Sequence, residues 1–308
     1  MSPDPWMFPR LVHVPSREGR KPVCIPDITQ FPLVTRALFG VPCRVPTEVY
    51  ASGTYNELFL LELEHPDDDA QPGLPRTVLA RVARDLKTRS DISLESEVAT
   101  MVFVRQQCPD IPVPTVYGYV PTRDNAVGLP FSVISYTEGV DMHGAPWEAL
   151  PLETKLIGVR DFARIVAQLA QLHFRAIGSI YFKFSAAATE PDGFVLGPAS
   201  WGKPESAARA AALPPNRAAR DCGPWKSAAQ WLRASLDDEI HFVEALPALA
   251  KATSRRGHGH GHGDGRERER RLQLAQRVLP TLRARVPVDP FDPCARGPFV
   301  LGHLDLNP

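Results

Sequence analysis

Proline is the residue that most limits the structures open to this chain. The sequence contains 32 prolines among 308 residues, about twice the usual ~5% share. Each proline lacks a backbone N–H and fixes φ, so it interrupts helices and the interior of sheets. The chain is therefore predicted to consist of short elements joined by many rigid turns.

Composition narrows the class of protein. The 308 residues are enough for roughly two domains, and the 44% share of hydrophobic residues is enough to build their cores. Lysine plus arginine equals aspartate plus glutamate at 35 each, so net charge gives no attraction to nucleic acid or to an anionic membrane. No stretch approaches the ~20 apolar residues that span a bilayer, and the amino terminus does not read as a targeting segment. A cytoplasmic protein with neither nucleic acid nor membrane as partner is expected.

The five cysteines are widely spaced and never form a CxxC pair. This spacing indicates reduced thiols rather than a disulfide framework or a zinc knuckle. They are Cys24, Cys43, Cys108, Cys222 and Cys294.

The first half of the chain predicts an α+β lobe. Residues 1–44 are interpreted as an N-terminal extension with one short helix that ends at Gly40. Alternating apolar residues in "NELFLLELEH" and "RTVLARVAR" predict two strands. The segment "SLESEVATMVFVRQQ" predicts a helix that Ser93 caps and that the prolines from Pro109 onward end. Two further apolar runs, "PTVYGYV" and "LPFSVISY", predict a hairpin, so residues 45–138 should form a mainly antiparallel sheet with one helix.

From residue 139 onward the pattern is mostly helical. The segment "TKLIGVRDFARIVAQLAQLHFRAIG" has an apolar stripe at helical spacing and a stop at Gly178. The stripe consists of Leu156, Val159, Phe162, Val166, Leu169 and His173. His173 is accordingly interpreted as a core histidine rather than a metal ligand.

A low-complexity insertion, residues 251–271, is predicted between two later helices. Its histidines, His258, His260 and His262, alternate with glycine and could capture Zn, Ni or Cu as a flexible tag does. A structural zinc site needs four fixed ligands, and ordering a glycine-separated run costs much entropy. Adventitious metal binding, or none, is therefore expected.

Several common active-site motifs are missing from the sequence: GxxxxGK[ST], HExxH, GxSxG and an uninterrupted GxGxxG. Walker-type NTPases, zincins and serine hydrolases are therefore poor interpretations. An ordered set remains: "ASGTYNELFLLEL", "VLAR", "SEVATM", "PFSVISYTEGVD" and "HLDL". This succession resembles the aminoglycoside and choline phosphotransferase family, which has the protein-kinase-like fold. The segments "IPVPTVYGY", "IGSIYF" and "GPW" are most similar to its fungal branch, and the resemblance runs from about residue 45 to residue 308.

The resemblance implies an ATP-dependent phosphotransferase that acts on a small-molecule hydroxyl, with a nucleotide-binding N-lobe (45–138) and an incomplete helical C-lobe (139–308). Gly53 would let a turn approach the phosphates, although an ordinary hairpin glycine explains the residue equally well. Arg81 would neutralise the α- and β-phosphates; by itself, a strand arginine is more often a solvated edge residue.

The expected partner of Arg81 is a glutamate on the following helix. The resemblance selects Glu97, and Glu95 is the competitor. Since the two lie about 200° apart on a helix, they cannot both face Arg81. Alternatively, both carboxylates only favour the helix N-terminus.

The resemblance places the adenine at the connection between the lobes, Ser135, Tyr136 and Thr137. A buried strand followed by a turn at Gly139 explains the same residues without a ligand.

The segment "GHLDLNP" supplies the implied catalytic residues. By resemblance, Asp305 is the general base that accepts the hydroxyl proton, and His303 braces the loop. In isolation, such an aspartate is more often a turn former.

The family pattern continues with Gly-Asn, and that asparagine binds magnesium together with a later aspartate. Asn307 follows Asp305 by two residues rather than five and cannot replace it. The chain as given is therefore expected to transfer phosphate poorly and to leave an apolar face of the larger lobe uncovered. The competing hypothesis is a non-catalytic protein that binds a nucleotide or another ligand. No residue indicates the identity of the acceptor.

Overall fold

The computed structural model of the protein describes residues 7–12, 25–53, 55–64, 74–84, 93–140, 144–185, 191–200, 221–254, 265–286 and 297–302. The helices within these ranges are α1 (Phe31–Phe39), α2 (Ser93–Gln107), α3 (Ala145–Ala149), α4 (Leu152–Ala170), α5 (Ala228–Ser254) and α6 (Gly265–Arg285). The strands are β1 (Arg10–Leu11), β2 (Ala51–Ser52), β3 (Asn56–Glu62), β4 (Thr77–Ala83), β5 (Val116–Val120), β6 (Phe131–Ser135), β7 (His173–Phe174), β8 (Ser179–Lys183), β9 (Gly193–Gly197) and β10 (Phe299–Val300).

One six-stranded sheet organises the first half of the chain, in the order β1-β5-β6-β4-β3-β2. Every neighbouring pair in it is antiparallel except β1 and β5. The expected α+β class, with a mainly antiparallel sheet and the helix α2, is confirmed.

Helix α1 covers one face of this sheet. Phe31 is fully buried, with its ring 5.7 Å from Phe59 and 6.2 Å from Phe131. Strand β1 joins the sheet edge by pairing Arg10 with Gly118. Because a Cβ on Gly118 would lie 2.6 Å from a methyl group of Leu38, the extension and the sheet are closely packed. Of the segment interpreted from sequence as an N-terminal extension, β1 and α1 pack with the sheet.

The predicted helix in this segment ends where expected. Gly40 follows α1 with φ of 78°, and its N–H donates to the Arg36 carbonyl. A left-handed residue at this position is a common helix stop, and glycine adopts it without a side-chain clash. Strand β1 was not anticipated, because two residues carry no detectable period.

Helix α2 covers the opposite face. Val98 and Ala99 are buried there against Leu79 and Ile134 of the sheet and Ile180 of β8. The sheet is thus a central layer, with α1 on one side and α2, followed by the β8–β9 hairpin, on the other.

Helix α4 forms as predicted but ends earlier than its apolar stripe. The chain turns at Gln171, and His173 lies in β7, paired with Val300 of β10. The interpretation of His173 as a core histidine is wrong, since its side chain is exposed. Pairing with a strand more than a hundred residues away overrides the local helical period.

Most of the α4 stripe is exposed within the part of the chain that the structure describes. Leu169 is buried at 7% exposure, whereas Leu156 and Val159 are each 54% exposed. Phe162 and Val166 are 40% and 41% exposed.

Helices α5 and α6 pack against each other. Arg283 holds Asp237 through a two-pronged ion pair, with Nε to Oδ1 at 2.7 Å and Nη2 to Oδ2 at 3.0 Å. This contact lowers the pKa of Asp237 below its ordinary value. The predicted insertion 251–271 is in part helical, because α5 extends to Ser254 and α6 begins at Gly265. The histidines His258, His260 and His262 lie outside the described residues. No described helix is both long and apolar enough to span a bilayer.

Candidate functional site

Strand β4 distributes its side chains between the two faces of the sheet. Val78 and Val82 pack in the cluster beneath α1, whereas Leu79 packs in the cluster beneath α2. Because side chains alternate along a strand, Arg81 projects from the α2 face.

The turn between β2 and β3 presents Gly53 on that same face. Leu58 lies directly opposite both Arg81 and Ala51, and directly opposed residues share a face. Gly53 follows Ala51 by two residues, so it too belongs to the α2 face. The sheet therefore brings together two of the residues expected to contact a nucleotide.

An ion pair joins β4 to α2. The Arg81 guanidinium contacts the Glu97 carboxylate, and the two side chains are 27% and 26% exposed. Arg81 is thereby fixed near the sheet while part of its guanidinium stays accessible. The pairing expected from the family resemblance is present, and its role in binding a nucleotide stays a prediction.

The competing glutamate has a different environment. Burial raises the pKa of Glu95 above its ordinary value. Burial, together with the nearby charge of Glu95, raises the pKa of Tyr119 to about 12. The ion pair that is observed for Arg81 is thus with Glu97, and the charge of Glu95 lies near Tyr119.

Replacing Glu95 by glutamine is expected to raise the melting temperature at pH 7. Because the pKa of Glu95 is raised in the folded state, ionisation of this carboxyl opposes folding. The unmodified protein therefore loses stability as pH rises above the unfolded pKa of about 4.3, and the glutamine variant does not. The gain should disappear at about pH 3.5, where the group is protonated in both states. Scanning calorimetry at both pH values measures this, with the exposed Glu153→Gln in α4 as control. A lower melting temperature at pH 7 would mean that the Glu95 carboxylate makes a stabilising contact.

Gly53 has no conformational need to be glycine. Its φ lies outside the left-handed region, and among the described residues a Cβ would approach the Asn56 carbonyl oxygen alone, at 3.8 Å. The Gly53 N–H donates to that same oxygen at 2.9 Å. The space beside Gly53 is therefore open to another molecule.

In the connection after β6, Ser135 forms hydrogen bonds within the protein. The Ser135 N–H donates to the Thr115 carbonyl at 2.8 Å, and the Ser135 hydroxyl accepts from the Thr115 N–H at 3.0 Å. Ser135 is thus engaged within the protein. Contacts to a nucleobase would fall to Tyr136 and Thr137.

A pair of tyrosines links this connection to β2. The hydroxyls of Tyr50 and Tyr136 are 3.4 Å apart, and the rings meet edge to face with centroids 6.0 Å apart. The hydrogen bond to Tyr50 raises the pKa of Tyr136. Sequence reasoning missed Tyr50, because only the sheet places it next to the connection.

The structure does not test the expected catalytic residues. His303 and Asp305 lie outside the described residues, which end at Gly302 after β10. Across the described ranges, no three His, Cys, Asp or Glu side chains are grouped so that they could hold a metal ion.

The chain is similar to three fungal proteins over about half of its length. Two are subtelomeric hrmA-associated cluster proteins of Aspergillus fumigatus strains, at 27% identity over 154 residues and 28% over 156. Each match covers 49% of this chain and 28% of the relative. The third is altered inheritance of mitochondria protein 9, mitochondrial, of Yarrowia lipolytica, with 26% identity over 169 residues, covering 50% of this chain and 29% of that protein.

The chain therefore spans less than a third of the length of these relatives. No family model and no solved structure matches it. The phosphotransferase family stays a resemblance of motifs.

Proposed function

We propose that the protein is an ATP-dependent phosphotransferase of the protein-kinase-like fold that acts on a hydroxyl group of a small molecule. The observation that supports this most is the Arg81–Glu97 ion pair, which lies on the same sheet face as the open turn at Gly53. Phosphoryl transfer depends mainly on positioning and charge neutralisation. A cation fixed beside an accessible backbone turn suits that task.

Each residue of the proposed site has a distinct task. Arg81 binds the α- and β-phosphates through its guanidinium, and Glu97 holds Arg81 in place. Gly53 lets the turn backbone approach the phosphate oxygens. The backbone of Tyr136 and Thr137 bonds the nucleobase.

By the family resemblance, Asp305 accepts the proton of the acceptor hydroxyl, and His303 braces the loop that carries it. Magnesium, when bound to the phosphates, would neutralise their charge. In this region, Arg81 is the described cation that is proposed to meet the phosphate charge. A cytoplasmic location stays a prediction, since one relative has a mitochondrial name.

Calorimetric titration of the chain with ATP, with and without magnesium, tests the proposal. A phosphotransferase is expected to bind ATP more tightly with magnesium. Binding of equal strength in both conditions, without turnover, would favour the non-catalytic binding protein. If ATP does not bind in either condition, the proposed function is wrong.

Replacing Gly53 by alanine should separate a ligand-binding glycine from an ordinary hairpin glycine. Among the described residues, the added Cβ meets no atom closer than 3.8 Å, so the melting temperature should change little. If phosphate approaches the turn, the methyl group should lower ATP affinity by about tenfold, a loss of about 1.4 kcal/mol. Gly193→Ala, in β9, is the control, because a Cβ there meets no atom of the described residues within 4 Å. Unchanged ATP affinity in Gly53→Ala would identify Gly53 as a plain turn residue.

A further inference from the structure

A second arginine, Arg84, holds the turn that contains Gly53. Its Nη1 donates to the Gly53 carbonyl oxygen at 3.0 Å and to the Ser52 hydroxyl at 3.2 Å. Its Nε lies 3.9 Å from a carboxylate oxygen of Glu57. The Arg84 N–H also donates to the Tyr55 carbonyl at 2.9 Å. One residue at the end of β4 thus contacts both sides of the turn.

Arg84 reaches the turn from the face opposite to Arg81. In the sheet, Glu57 of β3 has Ser52 of β2 on one side and Val82 of β4 on the other. Val82 belongs to the cluster beneath α1. Since opposed residues share a face, Ser52 and Glu57 belong to the α1 face. The Arg84 side chain contacts both, so it approaches the turn from the α1 face and not from the α2 face.

These contacts are more than an ordinary surface ion pair. An exposed pair such as Arg84 with Glu57 contributes little by itself, and the Arg84 side chain is 44% exposed. The bonds to the Gly53 carbonyl and the Ser52 hydroxyl have a charged donor, which strengthens them. They also hold the Gly53 carbonyl oxygen in place.

We propose that Arg84 is a positioning residue that presets the Gly53 turn for a phosphate-bearing ligand on the opposite face of the sheet. This inference rests on the proposed nucleotide-binding function and deepens it. A turn already held in place need not be ordered when the ligand binds, so less of the binding free energy is lost. Arg84 does not itself contact the nucleotide.

The experiment compares ATP with adenosine, which lacks phosphates, by calorimetry on the full chain. Arg84→Ala is expected to weaken ATP binding by about tenfold, equivalent to about 1.4 kcal/mol, and to leave adenosine binding unchanged. Arg84→Lys should restore most of the ATP affinity, because an ammonium group also supplies several donors. Ser52→Ala, which removes one acceptor and leaves Arg84 in place, should give a smaller loss. The control is Arg44→Ala, whose exposed pair with Glu62 at 3.4 Å lies elsewhere on β3.

The outcomes separate the two proposals. A selective loss of ATP affinity in Arg84→Ala, rescued in Arg84→Lys, supports the positioning role. Equal losses for ATP and adenosine, or no loss for either, overturn it while leaving the nucleotide site intact. If the unmodified chain binds neither ATP nor adenosine, both the proposed function and this inference are wrong.

Discussion

Replacing Arg81 by glutamine is expected to weaken ATP binding by about 10- to 100-fold, because hydrogen bonds to charged groups contribute about 1.5–3 kcal/mol. Arg81 is the cation that β4 and Glu97 fix on the α2 face. Glutamine keeps some polarity but lacks both the charge and the planar fork that suits phosphate. Calorimetric titration with ATP and adenosine measures the effect, and only ATP should lose affinity.

Two companion variants sharpen this result. Arg81→Lys retains the charge without the fork and should bind ATP with intermediate affinity. Glu97→Gln leaves the cation but removes the charge that holds it, so its loss should be smaller than that of Arg81→Gln. Arg44→Ala, which removes an exposed arginine paired with Glu62 of β3, serves as the control. If Arg81→Gln binds ATP as the unmodified chain does, the site assignment is wrong.

Replacing Asn125 by alanine is expected to destabilise the sheet lobe by about 2–4 kcal/mol. Asn125 is 1% exposed in the β5–β6 loop. Its Nδ2 donates to the Thr122 carbonyl at 2.7 Å and to the Leu129 carbonyl at 3.0 Å, and its Oδ1 accepts from the Gly128 N–H at 2.9 Å. Alanine removes all three bonds from a region where water cannot easily replace them.

Denaturant unfolding followed by circular dichroism measures this loss. Asn125→Asp retains an acceptor for Gly128 but has no amide donors, so it should be strongly destabilised at pH 7. Thr122→Ala is the control, because only the Thr122 backbone carbonyl takes part in the network and exposed side chains usually change stability by less than about 0.5 kcal/mol. A stability loss for Asn125→Ala no larger than for Thr122→Ala would contradict a structural role for the amide.

The choice between Glu95 and Glu97 as the partner of Arg81 could be predicted only in part from the local sequence. Helical geometry established that the two could not both face Arg81, and the resemblance selected Glu97. Which glutamate pairs with Arg81 depends on how α2 packs on the sheet. In that packing Glu95 is partly buried and its charge lies near Tyr119. The role of Arg84 could not be predicted from sequence either, because the residues around it do not indicate which turn it contacts.

The sequence by itself determined those elements whose pattern is local. Strands β3 and β4 follow from side chains that alternate, α2 and α4 from apolar residues at helical spacing, and the end of α1 from Gly40. Only the tertiary structure decided that β1 adds to the sheet next to β5, that His173 leaves the helix to pair with Val300, and that Arg81 and Arg84 project from opposite faces. The physical reason is range: periodicity and capping are encoded among neighbouring residues, whereas strand pairing and burial depend on residues brought together from distant parts of the chain.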